Sequence, residues 1–244
     1  MKKFYHITKY KNLESISENG LVPKQGSRTR LIGDKRTGIF LSYGIDNSIL
    51  MYVSLLYYYN SYAGKKGLDA IKFYKDKLKM YRKEEKRIPL DEEDKKEIEA
   101  IIERIEHINQ IIKYKSFSEY IGDGVYLSVS NIDKINKNDL KDCYTEEIIS
   151  PENINVVVLK NKNTGEIVDN KEDVLTYFMN LISMEDIISD IHNVVTKKCV
   201  EDLYNSRINE LNYYNSDNFD IEEIPISLYV NQRNKENEII KNNL

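Results

Sequence analysis

The stretch Phe4-Tyr5-His6-Ile7-Thr8, followed a dozen residues later by Asn19-Gly20-Leu21-Val22-Pro23, is the most informative part of this chain. The first of these segments has the character of a short strand. Leu13 and Ile16 then follow at helical spacing, and Gly20 supplies the left-handed residue that commonly ends a helix. The opening therefore predicts a strand, a short helix and a turn.

The composition bounds the class of protein. The 244 residues are 41% apolar and 31% charged, which fits one large globular domain with an insertion or appendage. A net charge of −4 gives no overall basic field for nucleic acid. No run is long and apolar enough for a signal peptide or a membrane span, so we expect a cytoplasmic protein without a membrane partner.

Metal-binding patterns are absent from the sequence. Cys143 and Cys199 are the only cysteines and do not form a CxxC pair. His107 and His192 have no partner at metal-ligand spacing, and both are interpreted as structural, with His107 on the outer side of its helix. We therefore expect no metal cofactor.

Strand and helix signals alternate along both halves of the chain. Strands are predicted at 37–42, 125–129 and 154–159, and a helix capped by Asp46 or Asn47 is predicted to run through Tyr52. Residues 64–116 differ, because isoleucines at helical spacing and a break at 87–90 indicate a charged helical hairpin. Beyond residue 165 we predict a helix to Ile182, a longer helix over 185–213, a last strand at 224–230 and a frayed tail.

The opening segment has a recognisable order of features. A strand ending in His6-x-Thr8 is followed by a short helix, Asn19-Gly20-Leu21 and a proline turn. This order resembles the first motif of ADP-ribosyltransferases of the His-Tyr-Glu class. That class includes diphtheria-type toxins, poly(ADP-ribose) polymerases, DNA-modifying bacterial toxins and NAD-dependent RNA 2′-phosphotransferases. The resemblance covers roughly residues 4–60 and 118–160.

The resemblance implies an α+β fold with an ADP-ribosyltransferase-like split β-sheet core. On that basis the core comprises residues 1–62 and 117–165. Residues 63–116 form a helical hairpin insertion, and residues 166–244 form a mainly helical C-terminal region.

The second motif of the family implies an aromatic residue that stacks on nicotinamide. Gly38-Ile39-Phe40-Leu41-Ser42 resembles the family's strand, and Tyr52 falls close to the position of its tyrosine. Tyr52 could equally belong to a tyrosine-rich buried helix, and Phe40 and Tyr43 are nearby alternatives. The strand from Gly124 offers Tyr126 as a rival.

The third motif implies a catalytic glutamate. Glu146 and Glu147 precede a Pro-Glu-containing turn and an apolar strand, as in the family, and Glu146 is slightly preferred. A fixed carboxylate there would stabilise the oxocarbenium character that develops on the ribose. Two solvated carboxylates at a strand entrance are the simpler alternative.

The remaining family positions imply an NAD-binding surface. Arginine suits phosphate because of its bidentate fork. The residues that the resemblance assigns to NAD are Thr8, Gly26, Ser27, Arg28, Gly38, Phe40, Ser42 and Tyr126.

The expected activity is NAD-dependent mono-ADP-ribosyl transfer, with His6, Tyr52 and Glu146 or Glu147 as catalytic residues and NAD as co-substrate. The acceptor is a macromolecule, either a protein or a nucleic acid, and the protein could serve as a toxin or phage effector. The alternative is a catalytically inactive module of the same fold that binds a nucleotide or a partner.

Overall fold

The computed structural model describes residues 3–24, 37–137, 142–189, 191 and 193–242. The chain divides into two compact units. The first comprises residues 1–23, 38–54 and 122–244, and the second comprises residues 24–37 and 55–121.

The first unit is built on one antiparallel sheet. The strand order is β4-β5-β2-β1-β3-β6-β7, and β8 also pairs with β6. Together with the surrounding helices, this is an α+β arrangement, as expected. The strands are β1 (Phe4–Thr8), β2 (Ile39–Tyr43), β3 (Val125–Val129), β4 (Asn136–Lys137), β5 (Asp142–Thr145), β6 (Ile154–Asn161), β7 (Ile167–Val168) and β8 (Phe219–Pro225).

The central strands are apolar on both faces. All five residues of β3 are buried, and the β-branched run Val156-Val157-Val158 of β6 is fully buried. β-branched side chains fit a pleated surface that is covered on both sides. These two strands agree with the sequence prediction because their apolar runs are short and bounded by turn residues.

One face of the sheet is covered by two helices, α1 (Leu13–Asn19) and the C-terminal α10 (Ile226–Asn242). Leu13 and Ile16 of α1 share a core cluster with Leu41, Leu127 and other strand residues, and Ile226, Tyr229 and Val230 enter it from α10. The predicted strand at 224–230 was therefore wrong: β8 ends at Pro225 and a helix follows. The i, i+3, i+4 spacing of the three buried α10 residues is helical.

The opposite face is covered by α6 (Lys171–Leu181) and by the first part, residues 44–54, of α2 (Gly44–Tyr62). Phe178 of α6 makes edge contacts with Tyr5 and Tyr126, at centroid distances of 5.3 and 5.2 Å. Asn170 caps α6 by accepting from the Glu172 amide at 2.8 Å. The cap and helix predicted here from the sequence are both present.

The long helix predicted over 185–213 is divided into three. Its parts are α7 (Met184–Ser189), α8 (Val194–Ser206) and α9 (Ile208–Tyr213). Asn193 is the N-cap of α8, and its side chain accepts hydrogen bonds from the amides of Val195 and Thr196. A good N-cap residue inside an apolar periodic run marks a helix start rather than helix interior.

The second unit contains the predicted hairpin, formed by α3 (Lys65–Glu85) and α4 (Glu92–Ile111) and followed by α5 (Phe117–Ile121). Asp91 caps α4 by accepting from two amides, as its position predicted. Ile71, Ile101, Ile105 and Ile108 form the core of the unit.

His107 does not lie on the outer side of α4, as the sequence suggested. It is buried, with its ring 5.7 Å from that of Tyr58 and 6.4 Å from that of Tyr62. The apolar stripe of α4 is wider than the isoleucines alone indicated. His192 lies outside the described residues.

The helices of the described residues were compared with the length and hydropathy of membrane spans. None of these helices combines the length and the apolar character that a membrane-spanning segment needs.

Candidate active site

Four strand ends meet at one end of the sheet. Thr8 at the end of β1 pairs with Val125 at the start of β3, and Ile39 at the start of β2 pairs with Thr145 at the end of β5. Neighbouring strands lie about 4.8 Å apart, so β1 and β5, separated only by β2, are about 10 Å apart. The predicted histidine motif and the residues that follow β5 therefore share this end of the sheet.

The pairing of β1 with β2 stops before this end. It consists of two residue pairs, Phe4 with Tyr43 and Tyr5 with Ser42. On their outer sides both strands remain paired further, β1 with β3 as far as Thr8 and β2 with β5 as far as Ile39. The sheet is thus interrupted at its centre.

His6 lies at this interruption. Its Nδ1 donates to the main-chain carbonyl of Phe40 at 2.9 Å. Because a carbonyl only accepts, the bond places a proton on Nδ1. The side chain is half-buried.

Thr8 faces the interior rather than an open cleft. It is 7% exposed, and its hydroxyl accepts from the side-chain amide of Asn12 at 3.2 Å. This contact ties the end of β1 to the turn before α1. The hydroxyl therefore has a structural partner of its own.

An aromatic pair flanks the interruption on β2 and β5. The rings of Phe40 and Tyr144 stack with centroids 5.8 Å apart and planes inclined by 25°. Gly38 precedes them, and a Cβ there would lie 2.9 Å from Cδ2 of Tyr144 and 3.2 Å from the carbonyl of Thr145. Gly38 therefore serves the close approach of β2 to β5, a structural reason for a glycine.

Glu146 and Glu147 leave β5 at the same end and are both exposed. The Glu147 amide donates to Oγ1 of Thr145 at 3.2 Å, and its carboxylate lies 3.4 Å from Nζ of Lys134. Among the described residues, the Glu146 carboxylate has no hydrogen bond or ion pair. Of the two, Glu146 is the carboxylate that is not already engaged.

Tyr52 and His6 lie on opposite faces of the sheet. Paired residues share a face, so His6 belongs with Leu127, whereas Tyr5 belongs with Ser42. Ser42 contacts Met51 through its hydroxyl, with Oγ 3.7 Å from Sδ, which locates the Tyr52 helix on the face of Ser42. The fold does not bring His6 and Tyr52 together.

Tyr52 is held in a polar cluster beneath α6. Its hydroxyl donates to Oε2 of Glu172 at 2.5 Å and accepts from Nη2 of Arg207 at 2.9 Å. Arg207 also forms an ion pair with Glu172 and donates to Thr176 Oγ1 at 2.7 Å. We call Tyr52, Glu172, Arg207 and Thr176 the arginine cluster.

Burial sets the protonation of the arginine cluster. The Tyr52 ring is 3% exposed, and burial raises the pKa of its hydroxyl above the usual range. Burial alone would lower the pKa of Arg207, but Tyr52 and Glu172 outweigh it and raise that pKa. Tyr52 is a neutral hydrogen-bond bridge between two charges.

The rival Tyr126 is fully buried, and burial raises the pKa of its hydroxyl as well. Among the described residues its hydroxyl has no hydrogen-bond partner. Ser42 is also buried. None of these three side chains, Tyr52, Tyr126 or Ser42, presents a surface to a ligand in this structure.

The predicted phosphate-binding residues Gly26, Ser27 and Arg28 lie outside the described residues.

Comparison with known protein families, with curated proteins and with solved structures found no match to this chain.

Two site features were not anticipated from the sequence. Lys171 is buried beside Gly124 and donates through Nζ to the carbonyl of Gly122. The arginine cluster joins residues far apart in sequence, and only the position of Glu172 in the first turn of a capped helix was visible beforehand. Within the described ranges, no three His, Cys, Asp or Glu side chains lie together as metal ligands would.

Proposed function

We propose that the protein is an NAD-dependent mono-ADP-ribosyltransferase that modifies a macromolecular acceptor, with an ADP-ribosyltransferase-like split sheet as its core. One observation carries the proposal. His6 lies at the interruption of the β1–β2 pairing, and Glu146 and Glu147 leave β5 at the same end of the same sheet. A dinucleotide would lie across this end of the sheet, between His6 and the glutamates.

His6 would bind the NAD ribose. The Phe40 carbonyl holds a proton on Nδ1, and in the neutral tautomer Nε2 would be the nitrogen that accepts from a ribose hydroxyl. The same bond holds the ring in one orientation, which lowers the entropic cost of positioning the sugar.

Glu146 would stabilise the transition state. Cleavage of the nicotinamide–ribose bond builds positive charge on the sugar, and a carboxylate nearby stabilises that charge more than it stabilises the ground state. Glu147 is a weaker candidate because Lys134 already partners it.

Tyr52 and Tyr126 are both buried and do not take the aromatic role in this proposal. The stacked rings of Phe40 and Tyr144 are half-buried at the end of the sheet where His6 lies, but strand pairing places them on the face of Ser42, opposite to His6. The proposal therefore assigns no aromatic residue to nicotinamide.

The test is release of nicotinamide from NAD by the full chain, with and without protein or nucleic-acid acceptors. Turnover that falls at least about a hundredfold in His6→Ala and Glu146→Gln, a loss typical of removing one transition-state contact, supports the proposal. Glu152→Gln is the matched control, since Glu152 is exposed in the next turn. Turnover by none of the proteins, with no NAD binding in calorimetry, contradicts it.

The burial of Tyr52 favours a second candidate, a module of the same fold that binds a nucleotide or a partner without catalysis. Its aromatic ring is engaged by Arg207, whose guanidinium lies 5.4 Å from the ring centroid. This candidate predicts calorimetric binding of NAD that His6→Ala weakens, without release of nicotinamide.

A further inference from the structure

The two sides of the α3–α4 hairpin differ in how their charges are neutralised. On one side the helices are linked by contacts between side chains. Lys77 and Tyr81 both donate to the Glu97 carboxylate, and Arg104 donates to the Tyr74 hydroxyl at 3.1 Å. On this side the polar side chains of α3 are hydrogen-bonded to those of α4, so we call it the closed side.

The second side is an open groove of about 440 Å³. Leu78, Ile102 and Ile105 supply its apolar surface, and Ile102 is 40% exposed. The charged residues that line the groove are Lys75, Lys79 and Arg82 of α3 and Glu106 of α4.

The charges along the groove are not paired across it. Lys79 has an ion pair within its own helix, with Asp76 at 2.8 Å. Lys75, Arg82 and Glu106 have no ion pair among the described residues. An apolar floor with unpaired charges on its rims is the pattern of a surface that another protein covers.

The rim on α3 is basic, and Glu106 is the charged residue that lines the groove from α4. Lys72, Lys75, Lys79 and Arg82 recur at intervals of three and four residues, so they form one exposed row along α3. As a whole α3 has eight Lys or Arg and four Asp or Glu, a net charge of +4. With His neutral, α4 has seven Asp or Glu and three Lys or Arg, a net charge of −4.

We propose that this groove is a homodimer interface, in which α3 of one copy packs on α4 of a second copy about a two-fold axis. A two-fold axis requires a self-complementary surface, and a groove with basic residues on one helix and Glu106 on the other allows Lys79 of each copy to face Glu106 of the other. A polyanion such as nucleic acid, or an acidic peptide, would match the basic rim but would also meet Glu106 and the net negative charge of α4.

The size of the surface suits a weak dimer. Helices of 20 and 21 residues are about 30 Å long, and two side by side are about 20 Å wide. About 600 Å² per copy, or about 1,200 Å² in total, is at the lower end of specific interfaces. We therefore expect a dimer that dissociates on dilution.

The first experiment measures the mass of the full chain by sedimentation equilibrium over a wide range of concentration. The proposal predicts a reversible monomer–dimer equilibrium that raised salt weakens, because unpaired surface charges contribute to it. Ile102→Asp should abolish the dimer. It should leave the circular dichroism spectrum unchanged, since the hairpin core consists of Ile71, Ile101, Ile105 and Ile108.

The second experiment exchanges the charges. Lys79→Glu and Glu106→Lys should each weaken dimerisation at least tenfold, and the protein that carries both should recover it. Glu84→Lys, an exposed reversal on α3 that does not line the groove, is the matched control and should dimerise like the parent.

A chain that is monomeric at every concentration, even one that binds poly-glutamate or nucleic acid, overturns the proposal. So does a dimer that Ile102→Asp and both single reversals leave intact, because its interface would then lie elsewhere. Recovery in the double variant is the result that a merely destabilised hairpin would not give.

Discussion

The Nδ1 of His6 lies 2.9 Å from the main-chain oxygen of Phe40, at the point where the pairing of β1 with β2 stops. A side chain of one central strand therefore satisfies a main-chain acceptor of its neighbour. Buried and half-buried carbonyls need a donor, so this contact allows the sheet to be interrupted at modest cost. The His6 imidazole thus has a structural role, and the proposed function gives the same ring a role in binding NAD.

Replacing His6 with Ala should affect stability and ligand binding by different amounts. Loss of one hydrogen bond to the Phe40 carbonyl should lower the free energy of unfolding by about 1 kcal/mol. NAD binding, if His6 holds the ribose, should fall at least tenfold. Urea unfolding measures the first quantity and isothermal calorimetry the second. An unchanged NAD affinity would remove His6 from the proposed site.

Tyr52→Phe and Tyr126→Phe should shift stability differently, although both delete a buried tyrosine hydroxyl. The Tyr52 hydroxyl bridges Glu172 and Arg207, so its loss should lower the free energy of unfolding by about 1.5–3 kcal/mol. The Tyr126 hydroxyl has no partner among the described residues, so its loss should be neutral or stabilising by up to about 1 kcal/mol.

Chemical unfolding of the two tyrosine variants beside the parent gives both free energies. Equal destabilisation would mean that the hydroxyl of Tyr126 is as well satisfied as that of Tyr52, against the geometry described above. A loss of nicotinamide release in Tyr52→Phe without a loss of stability would instead return Tyr52 to the catalytic role that its sequence position suggested.

Local patterns in the sequence identified the elements, whereas distant partners remained invisible. The β3 strand, the Asp91 cap and the α3–α4 hairpin follow from spacing and turn residues within a few positions of each other. Glu172 and Arg207 lie 120 and 155 residues from Tyr52, and no local pattern links them. Tyr52 therefore suggested a ligand-stacking residue, although the fold uses it to bridge two charges.

The wrong prediction of a strand at 224–230 also arose because the packing partners of this segment are distant in sequence. Ile226, Tyr229 and Val230 lie in the segment 224–230 that is predicted as a strand, and β-branched and aromatic residues do favour strands. Their burial against α1 and the central strands requires helical spacing, and that packing outweighs the weaker propensity. Pro225 was the available sign that the strand ends there, because proline is confined to strand ends and edges and is tolerated beside the first turn of a helix.

Glu146→Gln and Glu147→Gln should separate the two candidates for the catalytic carboxylate. We expect Glu146→Gln to lower nicotinamide release at least about a hundredfold. Glu147→Gln should retain most of it, because its carboxylate is directed to Lys134. Single-turnover assays at saturating NAD distinguish a loss of chemistry from a loss of binding. The reverse ranking would assign catalysis to Glu147 and would require the Lys134 contact to break.

Gly20→Ala should be strongly destabilising. Gly20 has φ +73°, and a Cβ there would lie 2.1 Å from the main-chain oxygen of Ile149. Gly165 is a matched control, since it has φ +72° and no atom within 4 Å of the added Cβ. Gly165→Ala should cost about 1–2 kcal/mol for its backbone conformation alone, and Gly20→Ala at least about 2 kcal/mol more. Equal losses in urea unfolding would show that the main chain at Ile149 shifts freely to accommodate the added Cβ.

The stability of the hairpin should depend on pH through Glu97. Hydrogen bonds from Lys77 and then Tyr81 lower the pKa of this carboxyl in the folded protein. A lowered folded pKa means that the stabilisation is complete above the unfolded value, about 4.3, and is lost as the pH falls through the folded value. Glu97→Gln should therefore speed amide hydrogen exchange in α3 and α4 at pH 7.

The Glu97→Gln difference should shrink toward zero as the pH is lowered from 7 through the folded pKa of Glu97, because the parent carboxyl then becomes protonated as well. Glu84→Gln, an exposed change on α3, should match the parent throughout. The groups involved are exposed, so added salt should reduce the effect at pH 7. If Glu97→Gln changed hydrogen exchange by the same factor above and below this pKa, the carboxyl would act by packing and not by charge.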